Sequence, residues 1–395
     1  MNPIRVAFTP IGGARWTGGY NYLVNLLSAI DRYESHRVRP VLFLGPSYSE
    51  SERAPFLAMK YVDIVQSSRF GVSRSWSGLA FALATGRARQ ALRTFREYHI
   101  DVVFESATFY GWRFPIPTIA WLPDFQHRRM PEQFGTIGYW RRELGFRMQV
   151  ASGRVIMLSS EDARRDAEQL YPGVRRTAKV VRFATHINPA LMEAEPRHVL
   201  DRYDLGPGFF FLPNQFWMHK NHAIVIEALG ILKQRGVNVI VAATGAGGDH
   251  RHPLHFERIK RRITELGLAQ NFRLLGLIPR AHVVSLMRMC RALINPSFFE
   301  GWSSTVEEAR ALGVPMVLSS IAVHREQLGD RATYFAPDNA SELAGHLEAM
   351  HGRLPASITP RTFDPAADEN VRRFAANFVD TATFTLSRSE ERVGG

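Results

Sequence analysis

Apolar residues recur along the chain in two rhythms. Short runs rich in β-branched and aromatic residues stand at 4–10, 38–44, 101–105, 118–122, 155–159 and 179–183. Each has the length and make-up of a strand buried on both faces. Between them, apolar positions three and four apart predict helices near 20–33, 79–98, 139–152 and 160–171. A polar, charged stretch at 191–205 follows, and then the alternation restarts. Strands are predicted at 209–212, 237–243, 272–275, 292–295 and 315–319, and helices at 219–235, 256–266, 282–290, 304–312 and 341–350. Strands alternating with helices in this way build parallel βαβ units. The expected fold is therefore α/β: two Rossmann-like, doubly wound parallel-sheet domains, 1–190 and 206–362, hinged at 191–205 and facing a central cleft. An amphipathic stretch in 363–395 predicts a C-terminal helix packing back on the N-terminal domain, with 387–395 as a frayed tail.

Composition narrows the class. The 395 residues exceed one ordinary core and suit two. One cysteine, Cys290, excludes an intrachain disulfide and every multi-cysteine metal motif, and fits a reducing compartment. The opening MNPIRVAFTP enters a strand without a long apolar core, so no signal peptide is expected, and no apolar run approaches the roughly 20 residues of a membrane span. The expected location is cytoplasmic, including the cytoplasmic face of the inner membrane. Residues 1–189 hold 26 Lys+Arg against 15 Asp+Glu, nearly all of the net +12. A basic surface of this kind attracts phosphorylated substrates, anionic lipid or nucleic acid; no nucleic-acid-binding motif accompanies it.

The chemistry concentrates in one segment, INPSFFEGWSSTVEEARALGVP, from 294 to 315. A strand runs into a loop holding Glu300, Gly301 and Trp302, and a helix starts at Ser303 or Ser304. Ser304 with Glu307 reads as a capping box, and Gly313 with Pro315 as the stop. The N–H groups of Ser303, Ser304 and Thr305, at the positive end of that helix, suit a diphosphate. Gly301 allows close backbone approach. Glu300 at the mouth and Glu308 one turn in present carboxylates to vicinal hydroxyls.

This segment resembles the E-x7-E signature of the retaining family 4 (group 1) glycosyltransferases, a family of the GT-B fold. By that resemblance Glu300 touches the donor sugar and Glu308 the ribose of a nucleotide-diphosphate sugar. Lys220, in PNQFWMHKNH, matches a family lysine that grips the diphosphate, whereas Gln215 stands where relatives carry an arginine. His219 beside Lys220 is a further donor-binding candidate. Gly18 and Gly19 match a glycine pair that opens the first helix, with Gly12 and Gly13 nearby as turn residues. Gly245, after a strand, is expected to line the nucleotide pocket. Asp124 matches one half of a family His-Asp pair, Pro123 replaces the histidine, and His127 is the imidazole left to serve the cleft.

The activity implied is transfer of a sugar, with retention, from a nucleotide-diphosphate sugar to a glycan or lipid-linked acceptor in cell-surface polysaccharide synthesis. Glu300, Lys220, His127 and Asp124 are its catalytic candidates. No Asp-x-Asp motif occurs, so no metal or other cofactor is expected beyond the nucleotide sugar. The basic N-terminal domain, with YWRRELGFRM on one predicted helix, is the expected acceptor side and a candidate contact with anionic membrane. Three other readings stand beside this one. A nucleotide-sugar-binding subunit without catalysis and a sugar-nucleotide epimerase both share the architecture. A nicotinamide-dependent dehydrogenase would need a G-x-G-x-x-G that 245–248 does not complete.

Overall fold

In the computed structural model, which describes residues 2–10, 17–46, 48–70, 82, 84–106, 108–249, 251–353 and 359–394, the strands form two separate sheets. Every pairing in both is parallel. The first sheet comprises β1 (Ile4–Phe8), β2 (Val38–Leu44), β3 (Asp63–Gln66), β4 (Val102–Ser106), β5 (Thr118–Leu122), β6 (Val155–Leu158) and β7 (Ala178–Val180). Its spatial order is β3-β2-β1-β4-β5-β6-β7. The helices threaded through it are α1 (Thr17–Tyr33), α2 (Glu50–Leu57), α3 (Arg89–Glu97), α4 (Gln126–Arg129), α5 (Thr136–Ala151) and α6 (Glu161–Leu170).

The second sheet holds β8 (Phe210–Leu212), β9 (Val241–Thr244), β10 (Phe272–Gly276), β11 (Leu293–Asn295), β12 (Met316–Ser319) and β13 (Thr333–Phe335), in the order β10-β9-β8-β11-β12-β13. Its helices are α7 (Pro196–Arg202), α8 (His222–Gln234), α9 (His255–Glu265), α10 (Arg280–Met289), α11 (Ser304–Ala311), α12 (Ala322–Leu328) and α13 (Ala340–Arg353), and the chain closes with α14 (Ala366–Gly394). Alternation of side chains explains the continuous apolar runs. Phe209 and Phe211 join one core with Leu293, Met316 and Leu318, while Phe210 and Leu212 join the opposite core with Ile294 and Val317. A strand covered by helices on both faces has no polar side to show.

Two compact units result: Met1–Ala184 with Glu369–Gly395, and Thr185–Asp368. The stretch 191–205, expected to be a polar hinge, is instead part of the second unit. It contains α7, and Val199, Leu200 and Leu205 are buried in that unit's core. The helix α14 runs to Gly394, through the residues expected to fray. From Glu369 onward it belongs to the first unit, where Phe374 packs edge-on to Tyr22 and Phe183, and Phe378 lies against Phe8 and Phe104. The edge strands β3 and β13, only partly buried, and the short helices α2, α7 and α12 were not legible in the apolar rhythm.

In each sheet the strand order reverses direction once, between β1 and β4 and between β8 and β11. At such a switch point the two following loops leave on opposite sides and open a crevice at the carboxyl ends of the strands. The loops after β8 and β11 carry Lys220 and Glu300.

Candidate active site in the second unit

Pairing of β8 with β11, in register at Phe211 and Leu293, brings together two loops far apart in sequence. Asn221 staples them. It sits in the left-handed region (φ 54°) at the end of the single turn Met218–Lys220, and its Nδ2 donates to the carbonyls of Pro296 at 3.1 Å and Pro337 at 2.8 Å. The Phe298 N–H donates to the carbonyl of His219 at 2.9 Å, which fixes the same junction from the other side. Lys220 is thereby aimed at Glu300, and its Nζ donates to Oε1 at 2.6 Å, 80 residues away in the chain.

Glu300 is a buried, ionised carboxylate. Burial pushes its pKa upward, but the Lys220 ammonium beside it wins, with smaller help from His324 and His219, and holds it down at about 2. The Ser297 hydroxyl lies 2.7 Å from both Glu300 Oε1 and Asn295 Oδ1, and its one proton serves either acceptor. Asn295 in turn donates to Ser303 Oγ at 2.9 Å and accepts from Asn214. Behind this layer Ser319 Oγ donates to the Ser297 carbonyl at 2.6 Å, and His324 Nδ1 lies 2.9 Å from the Ser319 carbonyl. Burial lowers the pKa of that imidazole, against the pull of Glu300. Asn214, Asn295, Ser297, Ser319 and His324 escaped the sequence reading, although Ser297 lies within the segment that carries the resemblance.

The start of α11 differs from expectation. Its cap is Ser303, whose Oγ accepts from the Val306 N–H, and not Ser304. Glu307 takes no part in a capping box. It is buried and bound to Arg310 and to Gln327 Nε2 (3.0 Å). Burial lifts its carboxyl to about 7, against the pull of Arg310, Gln327 and Trp302. The Ser303 N–H also has a partner, the Gln327 Oε1 at 3.3 Å. Ser303 is therefore a cap. The amides left for an anion are those of Ser304 and Thr305, which as the first two helical residues have no acceptor inside the helix.

Glu308 faces away from this buried cluster and forms an ion pair with Arg280, the first residue of α10. Gln215, at the expected arginine position, spends its Oε1 on the Ala246 N–H at 2.7 Å. It holds the loop after β9, and Gly245 sits within that contact: a Cβ there would lie 2.4 Å from the Asn214 carbonyl oxygen. Gly301 and Trp302 are half-buried in the loop before the cap, and His219 is buried. Thus Gln215, His219, Lys220, Gly245, Glu300, Gly301, Trp302, Ser303, Ser304, Thr305 and Glu308 all lie on the loops or helix starts that follow β8, β9 and β11.

The remaining candidates belong to the first unit. Gly18 and Gly19 occupy the first turn of α1, while Gly12 and Gly13 lie outside the described residues. His127 is a correction: its ring is fully buried, Nε2 lies 3.1 Å from Glu143 Oε2, and Phe125, Phe134, Tyr139 and Phe146 surround it. Glu143 also binds Arg128, Arg147 and the Tyr171 hydroxyl; burial opposes its charge, but the hydrogen bonds to Arg128, Arg147 and His127 hold it down at about 2. Asp124 Oδ1 accepts from the Gln126 N–H at 2.9 Å and from Arg142. Among the described residues no cluster of His, Cys, Asp or Glu is grouped to hold a metal.

Residues 203–351 match the family described as glycosyl transferases group 1. That segment lies wholly within the second unit and contains every residue of the Lys220–Glu300 cluster. A stretch of 75 residues is 31% identical to O-antigen chain mannosyltransferase B of Escherichia coli, spanning 19% of this chain and 20% of that protein. The two curated relatives matched are covered over only 20% and 27% of their lengths. Likeness of fold extends over the whole chain. A glycosyltransferase from Rickettsia africae ESF-5 superposes with a TM-score of 0.66 at 13% identity, covering 99% of this chain and 97% of that one. Anabaena Alr3699/HepE, solved in complex with UDP, gives 0.62 at 16% identity with both chains fully covered. The two-unit α/β fold with parallel sheets is that of these GT-B proteins.

Proposed function

We propose that the protein is a retaining glycosyltransferase of family 4 that moves a sugar from a nucleotide-diphosphate donor to a glycan or lipid-linked acceptor in cell-surface polysaccharide synthesis. The observation that carries this reading is the Lys220–Glu300 pair at the mouth of α11, set between loops that only the switch point of the second sheet joins. The matched group 1 segment and the polysaccharide-building relative point the same way. In this reading the Ser304 and Thr305 amides and the dipole of α11 meet the diphosphate. Lys220 exchanges Glu300 for a phosphate oxygen as the donor arrives, and Glu300, already ionised, then accepts from sugar hydroxyls. Glu308 exchanges Arg280 for the ribose. These groups neutralise the departing diphosphate with fixed charges and dipoles, so the proposal assigns no metal. Attack from the same face retains configuration.

The first unit, with most of the basic excess, is assigned the acceptor. Ile137, Trp140 and Leu144 are exposed along one stripe of α5, with Arg141 and Arg147 exposed beside them. An apolar stripe flanked by arginines suits an anionic membrane surface carrying a lipid-linked acceptor. No helix among the described residues is long and apolar enough to cross a membrane.

Glu308 is the cleaner probe of the donor site. Removing Lys220 would strand a buried carboxylate and cost about 3–5 kcal/mol of stability on its own. A thermal-shift screen of UDP-, GDP- and ADP-sugars should find one that raises the melting midpoint, and Glu308→Ala should weaken that donor at least tenfold by calorimetry. Wild-type affinity in the variant would remove Glu308 from the ribose. Absence of any nucleotide-sugar binding would end the reading as a transferase.

A further inference from the structure

Gln327, on α12 and only 2% exposed, meets Ser303 twice. Its Oε1 accepts from the Ser303 N–H at 3.3 Å, and its Nε2 donates to the Ser303 carbonyl at 3.1 Å. The side-chain amide thus pairs with both backbone groups of one residue, as a neighbouring strand would. The orientation is fixed by the network, since a flipped amide would set donor against donor. The contact is itself braced. Nε2 also donates to Glu307 Oε1, Glu307 is bound by Arg310, and Arg310 Nη1 donates back to the Gln327 carbonyl at 3.2 Å. Ser303, Glu307, Arg310 and Gln327 form a closed ring that locks α12 to the start of α11.

The consequence follows from peptide planarity. The Ser303 carbonyl accepts from the Glu307 N–H at 3.2 Å and from Gln327 Nε2, and it shares one trans peptide unit with the Ser304 N–H, which those two donors together point the opposite way. The Ser303 N–H likewise shares a plane with the Trp302 carbonyl, which orients the loop that carries Glu300 and Gly301. We propose that Gln327 is a positioning residue for the donor diphosphate, setting the direction of the first free amide of α11 without touching the ligand. This inference rests on the donor reading above. Nothing in the E-x7-E spacing calls for an amide at 327, and the assignment comes from the two-point contact alone.

The test is binding of UDP, GDP and ADP by calorimetry, at a temperature where every variant is folded by circular dichroism. Wild type should bind at least one of them. Gln327→Met keeps the volume and removes both hydrogen bonds, and it should raise the Kd of that nucleotide about tenfold, the order expected for one mis-set charge-assisted contact. Should that variant not fold, Gln327→Glu keeps an acceptor for the Ser303 N–H but loses the donor to its carbonyl, and the same rise is expected. A wild-type Kd with only a lowered melting midpoint would make Gln327 a purely structural residue and leave the donor reading standing. No nucleotide binding by wild type would overturn both.

Discussion

Glu307 and Glu308 are neighbours on α11 with opposite surroundings, and the difference is one step of about 100° around a helix. Glu308 points to Arg280 at the partly exposed side, whereas Glu307 points inward to Arg310 and Gln327. The Ser304–Glu307 spacing suggested a capping role for the first, but burial decided otherwise. Glu307 titrates near 7 instead of its ordinary 4.5, so the folded state holds a proton that the unfolded chain releases earlier. Its contribution to stability is full below pH 4.5 and is lost as pH rises through about 7. Wild type should therefore lose stability across that window relative to Glu307→Gln, measured as melting midpoint against pH. Parallel curves would refute the protonated state. Glu143 and Glu300 behave oppositely: held at about 2, they withdraw stability only as pH falls from 4.5 toward 2.

Among the elements, α11 shows how a helix start is capped from another helix. Ser303 caps it, Gln327 takes the N–H of the cap, and Ser304 and Thr305 are left facing outward. The long helices and buried strands were readable because their apolar period repeats over enough residues. The seven-residue α12, source of Gln327 and His324, offered no such repeat. The helix α5 was readable, but not which of its faces is covered. Phe146 packs onto Phe125, while Ile137, Trp140 and Leu144 stay outside. If that stripe meets membrane, the protein should float with anionic liposomes at low salt and be released as salt rises. Trp140→Glu with Leu144→Glu should abolish flotation without changing nucleotide binding. Flotation indifferent to these changes would clear α5 of the role.

At the scale of the molecule, the last helix belongs mainly to the first unit, so that unit is built from both ends of the chain. Phe378 is fully buried against Phe8 and Phe104. Phe378→Ala should cost about 3–5 kcal/mol, read as a lower denaturation midpoint, and a change under 1 kcal/mol would show that α14 contributes little to that core. Sequence alone determined the alternation of strand and helix, the two parallel sheets, and the strand-loop-helix around Glu300 and Glu308. These depend on local periodicity and on residues close in the chain. Tertiary structure decided that Lys220 meets Glu300 across 80 residues, that His127 is sealed within an ion-pair network, and that Gln327 pairs with both backbone groups of Ser303. Each of these depends on which strands lie side by side and which faces are covered. That outcome is set by the packing of the whole sheet, which no local pattern encodes.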